Sequence, residues 1–169
     1  VSIASGMKVS ILQRIHNLEQ IYAIEEDPHY RGGDYYDDRP PAQGLALARM
    51  IAHKTFVSLS TMEERARDEV VQRQKEGSRY VIPHPVESYM LHQGRKFVSR
   101  FDANTYLRIL YAWQYFDLLR DRGASTWDEV FEPCLRHGHR FLVYSIDSDV
   151  CYYPDEQAEL AGALAGLGI

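Results

Sequence analysis

The sequence predicts an α/β fold in which a long helical region leads into a strand that ends in acidic residues. Residues 141–146 have mostly apolar and β-forming character, which is typical of a buried parallel strand. Asp147 and Asp149 follow this run directly, and α/β enzymes carry functional groups at the carboxyl ends of their strands. No second strand of this kind is evident in the 169 residues. Because one strand cannot form a sheet, the pattern predicts part of a larger enzyme.

Hydrophobic periodicity divides the chain into three predicted regions. Residues 1–9 are interpreted as the end of a core strand and the entry to a cap, 10–138 as a helical cap or lid, and 139–169 as a returning core strand and helix. Such a cap covers the catalytic end of a sheet and encloses the substrate pocket. The alternative is a free-standing helical bundle with a short α/β tail, whose strand would keep exposed edges. The expected helices cover residues 10–25, 42–56, 61–77, 86–100, 105–119, 125–138 and 156–167.

The composition argues against several classes of function. The chain is 45% hydrophobic and 25% charged with a net charge of −5, which disfavours nucleic acid or an anionic membrane surface as a partner. No apolar run approaches the roughly 18 residues that a membrane span needs, and the first residues lack the pattern of a signal peptide. Cys134 and Cys151 fit no metal-ligand or disulfide spacing. Both are therefore expected to be reduced thiols in a cytoplasmic protein.

Five short motifs occur in a fixed order along the predicted cap. They are Gly32-Gly-Asp-Tyr-Tyr36, Gly44-Leu-Ala-Leu-Ala-Arg-Met-Ile-Ala-His53, Val86-Glu-Ser-Tyr89, Gln93-Gly94 and Phe101-Asp-Ala-Asn-Thr-Tyr106. In this order they closely resemble the homoserine O-acetyltransferase family, and the resemblance extends from about Ser5 to Pro154. It implies an α/β-hydrolase fold, represented here mostly by the α-helical cap with one or two C-terminal sheet strands and a helix.

The resemblance implies a catalytic triad of Ser, Asp and His in that chain order, and it assigns the Asp to Asp149. In such a triad the carboxylate fixes the tautomer of the His. The Gly-x-Ser-x-Gly elbow is missing, since Gly162 and Gly166 have Leu164 at their centre. The last histidine, His139, precedes Asp149, whereas the catalytic His should follow it. Without an initiating Met the chain is expected to be an internal fragment, and to be inactive alone.

The resemblance also implies substrates and a partner. The parent enzyme would move an acetyl group from acetyl-CoA, a co-substrate, to the hydroxyl of L-homoserine in methionine biosynthesis, with no permanently bound cofactor. Succinyl transfer, or serine as the acceptor, stays open because one methylene is discriminated only modestly. Lys8 stands where the family has an Arg for the substrate carboxylate, and a Lys lacks the bidentate fork. A solvated Lys8 is the alternative. A homodimer through the cap helices is expected.

Other interpretations of the acidic tip follow from the residues alone. Asp149 also fits an acid that shapes a turn or caps a helix. Asp147-Ser-Asp149 is similar to the first motif of haloacid-dehalogenase-type phosphatases, with Asp147 as the nucleophile and Mg²⁺ as the charge screen. That mechanism needs a downstream Lys, and none follows. His137 and His139 have the chemistry of metal ligands, but such a pair more often faces solvent, so no metal site is expected.

Two features of the predicted cap have a purely structural interpretation. Asp34, Tyr35 and Tyr36 follow a Gly-Gly turn, and they are expected to fix the packing of the cap more than to contact substrate. The rival to an enzyme is a non-catalytic helical interaction or dimerisation module. Such a module would fold cooperatively by itself, whereas an excised cap would expose an apolar surface.

Overall fold

The computed structural model divides the chain into two compact units. It describes residues 1–66, 80, 82 and 84–169. The helical unit consists of Arg14–Tyr111, and the mixed unit consists of Val1–Gln13 together with Ala112–Ile169. The described helices are α1 (Ile11–Glu25), α2 (Ala42–Phe56), α3 (Leu59–Ala66), α4 (Pro85–Val98), α5 (Ala103–Gln114), α6 (Leu118–Arg122), α7 (Trp127–Arg136) and α8 (Pro154–Gly166), and the described strands are β1 (Ser2–Ile3) and β2 (Val143–Tyr144).

Local capping decides where the observed helices depart from the predicted ones. The predicted start at Thr61 is wrong, because the Ser58 hydroxyl accepts the Thr61 N–H and α3 begins at Leu59.

The single helix predicted over residues 105–119 is two helices. Asp117 separates them, since its carboxylate accepts two backbone N–H groups in the first turn of α6. The cap of α7 is Thr126 and not Ser125, although the sixth helix itself is confirmed.

Glycines set the closest approaches in the helical unit. A Cβ on Gly44 would lie 2.2 Å from the carbonyl oxygen of Ala23, so only glycine allows α2 to meet the end of α1. A Cβ on Gly94 would lie 2.8 Å from the carbonyl oxygen of Ala46, and the same argument applies to the contact between α4 and α2. A small apolar cluster joins α3 to α4 through Met62, Ala66 and Tyr89.

Helix α1 presents its polar residues to the interior and its apolar stripe to the outside. Asn17 and Gln20 are 0% and 3% exposed, whereas Leu18 and Tyr22 are 50% and 58% exposed. The predicted helix is therefore confirmed, but most of its apolar stripe does not pack against the rest of the described chain. Ile21, which is 8% exposed, is the exception within this stripe.

The mixed unit contains a two-stranded parallel sheet. Strand β1 pairs with β2 in the register Ser2 to Val143 and Ile3 to Tyr144, which confirms a strand within the first residues. The sheet lies against an apolar core contributed by Met7 and by helices α7 and α8. Helices α6 and α7, which lie in the predicted cap, fall within this unit. The predicted domain boundaries stay a prediction.

The prediction that residues 141–146 form a buried strand is wrong for the described chain. Only Val143–Tyr144 is a strand, and Leu142 and Tyr144 are 52% and 50% exposed. Val143 packs against the core of the mixed unit. Because side chains alternate along a strand, the other face of β2 carries the exposed apolar residues. One face of β2 packs against the described chain, and its opposite face is exposed.

The highly charged third helix was predicted from residue 61 to residue 77. Its first part corresponds to α3, and everything after Ala66 in that prediction lies outside the described residues. Among the helices that the structure describes, none combines the length and the apolar character that crossing a membrane requires.

Candidate functional site

Asp149 lies in a tight turn between β2 and α8. Its Oδ1 accepts two backbone hydrogen bonds, from the N–H of Cys151 at 2.7 Å and from the N–H of Tyr152 at 2.8 Å. Its own N–H donates to the carbonyl of Ile146 at 3.1 Å. The residue is half-buried. One carboxylate oxygen is therefore fixed by the turn, which leaves Oδ2 as the oxygen that an imidazole N–H could reach.

Two further contacts hold this turn. Gln13, which is 3% exposed, donates from Nε2 to the carbonyl of Cys151 at 2.5 Å. The ring of Tyr152 stacks on Trp113 with centroids 6.0 Å apart and an interplanar angle of 17°. Burial, followed by the charges of Cys151, Asp149 and Glu156, raises the pKa of Tyr152 to about 12. The Tyr152 phenol consequently stays neutral at physiological pH.

Lys8 and Asp149 act electrostatically on the same carboxyl group. Burial raises the pKa of Glu156 at the start of α8, the charge of Asp149 adds to this rise, and the charge of Lys8 opposes it. Lys8 forms an isolated antiparallel bridge with Asp117, and its side chain is exposed. A substrate-binding role for Lys8 stays a prediction.

The remaining titratable groups that the sequence singled out lie at the surface. Asp147 is exposed. His137 and His139 are exposed as well, with ring centroids 6.1 Å apart. Over the described residues, no group of three or more His, Cys, Asp or Glu side chains has a metal-binding arrangement. Cys134 and Cys151 are not joined by a disulfide bond.

The first and last resemblance motifs meet through a hydrogen-bond network in the helical unit. The Tyr35 hydroxyl donates to Asp102 Oδ1 at 2.5 Å and accepts from the N–H of Asn104 at 3.0 Å. Asn104 Nδ2 donates to the carbonyl of Gly33 at 2.9 Å and to the Tyr36 hydroxyl at 3.1 Å. Burial works against ionisation of Asp102, but hydrogen bonds from Tyr35 and Thr105 hold its pKa below the usual value. These motifs fix packing, as the structural interpretation predicted for Tyr35 and Tyr36.

The other motifs also pair with one another inside the helical unit. His53 Nε2 lies 3.0 Å from the Tyr89 hydroxyl, and both residues are buried. Burial lowers the pKa of His53, and the charges of Arg49 and Arg65 lower it further. The motifs that carry the resemblance therefore specify how the helices pack, whereas Asp149 lies outside all five of them.

Sequence reasoning missed Gln13 and the Trp113–Tyr152 stack. A local signal for Gln13 exists, since Ser10 and Gln13 have the spacing of a capping box, and the Ser10 N–H donates to Gln13 Oε1 at 2.8 Å. The contact between Gln13 and Cys151 spans 138 residues. No pattern within either segment indicates it.

Comparison with curated proteins identifies relatives that cover most of this chain. A homoserine O-acetyltransferase from Zymomonas mobilis is 40% identical over 147 residues, which is 86% of this chain and 38% of the relative. One from Methanococcus vannielii is 38% identical over 87% of this chain and 29% of the relative. A protein from Alkalilimnicola ehrlichii named homoserine O-succinyltransferase is 36% identical over 97% of this chain and 42% of the relative. The chain thus spans less than half of each of these proteins. No family profile matches it.

Solved structures show the fold to which the chain belongs. A homoserine O-acetyltransferase from Bacillus anthracis superposes with a TM-score of 0.75 at 16% identity, over 98% of this chain and 43% of that one. An acetylester hydrolase from Corynebacterium glutamicum superposes with a TM-score of 0.71 at 20% identity, over 95% and 42%. The described helices and strands are thus part of an α/β-hydrolase fold. By its similarity to the curated relatives, the chain belongs to the homoserine O-acetyltransferase family over the segment that it spans.

Proposed function

We propose that this chain contributes the acid of a Ser-Asp-His triad in an enzyme that acetylates the hydroxyl of homoserine. Asp149 is that acid. The observation that carries the proposal is the turn at the end of β2, where backbone amides fix one carboxylate oxygen of Asp149 and leave the second for an imidazole. Family membership supports acyl transfer as the reaction class.

The proposed reaction proceeds through an acyl-enzyme. A serine hydroxyl outside this chain attacks the thioester carbonyl of acetyl-CoA, and the histidine takes its proton. The proton leaves with the CoA thiol, and the serine carries the acetyl group. The homoserine hydroxyl then attacks the serine ester, and the histidine takes the hydroxyl proton and returns it to the serine. Asp149 holds the imidazole in one tautomer and stabilises the imidazolium in both steps.

A chimeric enzyme tests the role of Asp149. The segment of a homoserine O-acetyltransferase from Solidesulfovibrio magneticus that matches 100% of this chain, at 38% identity over 172 residues, is replaced by this chain, and CoA release from acetyl-CoA is measured with homoserine. Asp149→Asn keeps the size of the side chain but disturbs the tautomer, so kcat is expected to fall about 10⁴-fold. Asp147→Asn is the matched control, since Asp147 is exposed, and should change kcat less than about twofold. Equal effects of the two substitutions would refute the assignment.

We further propose acetyl-CoA as the preferred donor. Several curated relatives are named homoserine O-acetyltransferases, whereas the one from Alkalilimnicola ehrlichii is named a succinyltransferase. The chimera also tests this choice, through kcat/KM for acetyl-CoA and for succinyl-CoA with the same acceptor. A higher kcat/KM for succinyl-CoA would contradict the proposal.

A homodimer through the cap helices forms the last part of the proposal. The outer face of α1 carries Ile15, Leu18 and Tyr22 at helical spacing, and they are 47%, 50% and 58% exposed. Three large apolar side chains on one stripe favour burial against a second helix. A second copy of the chain presents the same stripe, as a two-fold interface requires.

Sedimentation velocity of the chain tests the dimer. Leu18→Asp places a charge at the centre of the stripe and should convert dimer to monomer. Glu19→Gln, next to it in sequence, is the matched control and should leave the dimer intact. A monomeric parent chain, or a dimer that Leu18→Asp does not weaken, would contradict this interface.

A further inference from the structure

Gln13 connects the start of α1 to the turn that carries Asp149. Its Nε2 donates to the carbonyl of Cys151 at 2.5 Å, and its Oε1 accepts the N–H of Ser10 at 2.8 Å. The Ser10 hydroxyl accepts the Gln13 N–H at 3.3 Å. The buried amide of Gln13 therefore forms hydrogen bonds through both Nε2 and Oε1, and one orientation of the amide satisfies both bonds.

The Cys151 peptide groups lie between Gln13 and Asp149. The N–H of Cys151 donates to Asp149 Oδ1, while its carbonyl accepts from Gln13. The bond from Gln13 to this carbonyl holds the peptide group that also carries the Tyr152 N–H, the second donor to Asp149 Oδ1. Rotation of this residue would also remove one of the two amides that hold Asp149. The Gln13 bond thus restricts the same backbone that orients the carboxylate.

We propose that Gln13 is a positioning residue for Asp149. It touches no reacting group in the proposed mechanism and acts through the Cys151 backbone. The effect on catalysis rests on the proposed function, whereas the effect on the turn does not. Accordingly, one experiment uses the chain alone and a second uses the chimera.

The first experiment measures amide hydrogen exchange in the chain by NMR. Gln13→Met keeps the length of the side chain and removes its donor and acceptor. Exchange of the Cys151 and Tyr152 amides is expected to accelerate at least about tenfold, because opening of the turn becomes easier. Unchanged exchange at these two amides would overturn the proposal.

Two controls separate this effect from general destabilisation. Gln157 is a second buried glutamine of the mixed unit, 2% exposed, and its Nε2 donates to the carbonyl of Ser5 at 2.5 Å. Gln157→Met should leave exchange at Cys151 and Tyr152 within about twofold of the parent. Ser10→Ala removes the helix cap but retains the Gln13 bond to Cys151, and it should also leave these amides protected. Acceleration by either control to the extent seen with Gln13→Met would overturn the proposal.

The second experiment measures kinetics in the chimera. Gln13→Met should lower kcat about 10–100-fold with KM changed less than about twofold, since misplacement of an orienting group affects the chemical step. Gln157→Met should leave both parameters near the parent values. If Asp149→Asn leaves activity intact, the proposed function fails while the exchange result still stands. If Asp149→Asn abolishes activity but Gln13→Met leaves kcat unchanged, the positioning role of Gln13 is refuted.

Discussion

Replacing Gly44 by alanine should destabilise the helical unit by an amount that the structure defines. The new Cβ would lie 2.2 Å from the Ala23 carbonyl oxygen and 2.9 Å from the Ile24 Cα. Both are backbone atoms that cannot rotate away. Ordinary contacts are about 3.5 Å, so the two helices must separate by about 1 Å.

Two costs and one gain set the size of the effect. Forcing an extra methyl into a packed contact costs about 1–3 kcal/mol. Separation also stretches the 2.7 Å hydrogen bond from the Gly44 N–H to Asp27 Oδ2, and a bond of this type to a charged group contributes about 1.5–3 kcal/mol. The higher helix propensity of alanine returns at most about 1 kcal/mol. We expect a net loss of about 3 kcal/mol in the free energy of unfolding.

Urea denaturation followed by circular dichroism measures this loss. Gly162→Ala in α8 is the matched control, because a Cβ there meets no atom within 4 Å, and it should raise the free energy of unfolding by about 0.5–1 kcal/mol. The two glycine-to-alanine substitutions are thus expected to have opposite signs. A Gly44→Ala chain that unfolds at the same or a higher urea concentration than the parent would refute the packing argument.

Three further predictions use the titratable residues. Burial lowers the pKa of His53, and the neighbouring arginines lower it further. The free energy of unfolding should therefore decline as the pH falls below about 6.5, the pKa of histidine in the unfolded chain. Urea denaturation at pH 8 and pH 5.5 measures this decline, and the same decline in a His53→Phe chain would contradict the prediction. The pKa of Asp102 lies below its usual value despite burial. Its contribution to the free energy of unfolding should therefore persist above about pH 4 and disappear as the pH falls through the lower pKa of the folded chain. Asp102→Asn should reduce the loss of stability between pH 5 and pH 2 in acid titration, and an unchanged acid transition would count against the Tyr35 network. Lys8→Met in the chimera should raise KM for homoserine about tenfold with kcat retained, if Lys8 binds the substrate carboxylate, and an unchanged KM would identify it as a solvated side chain.

Helix positions were predictable from the sequence because their determinants are local. The range of α2 was predicted correctly from periodicity alone, and α8 was predicted within about two residues at each end. The errors lie at the caps. Ser58 and Thr126 compete with neighbouring hydroxyl residues for the capping role, and sequence spacing does not decide between them.

Burial was less predictable, because it depends on what covers a face. The apolar runs in α1 and around β2 were identified correctly as apolar, yet Leu18 and Tyr144 are each 50% exposed. Periodicity shows which side chains share a face and carries no information on whether another surface lies against it. The same limit applies to Gln13, whose function depends on a carbonyl 138 residues away.

The candidate site was predictable only in part. Asp149 was identified from its place after an apolar run and from the family resemblance, and the structure adds the two amides that hold its Oδ1. These contacts confirm the turn-forming interpretation of Asp149, whereas its functional interpretation stays a prediction that concerns the second carboxylate oxygen. The motifs that revealed the family, by contrast, carry packing contacts such as that between His53 and Tyr89.

The kinetic comparison of Asp149→Asn with Asp147→Asn in the Solidesulfovibrio magneticus chimera tests the central claim most directly. The proposed triad predicts that CoA release with homoserine falls about 10⁴-fold for Asp149→Asn and stays near the parent rate for Asp147→Asn. Retained activity in the Asp149→Asn chimera would show that this carboxylate serves only the turn, and the claim that the chain supplies the acid of the triad would be wrong.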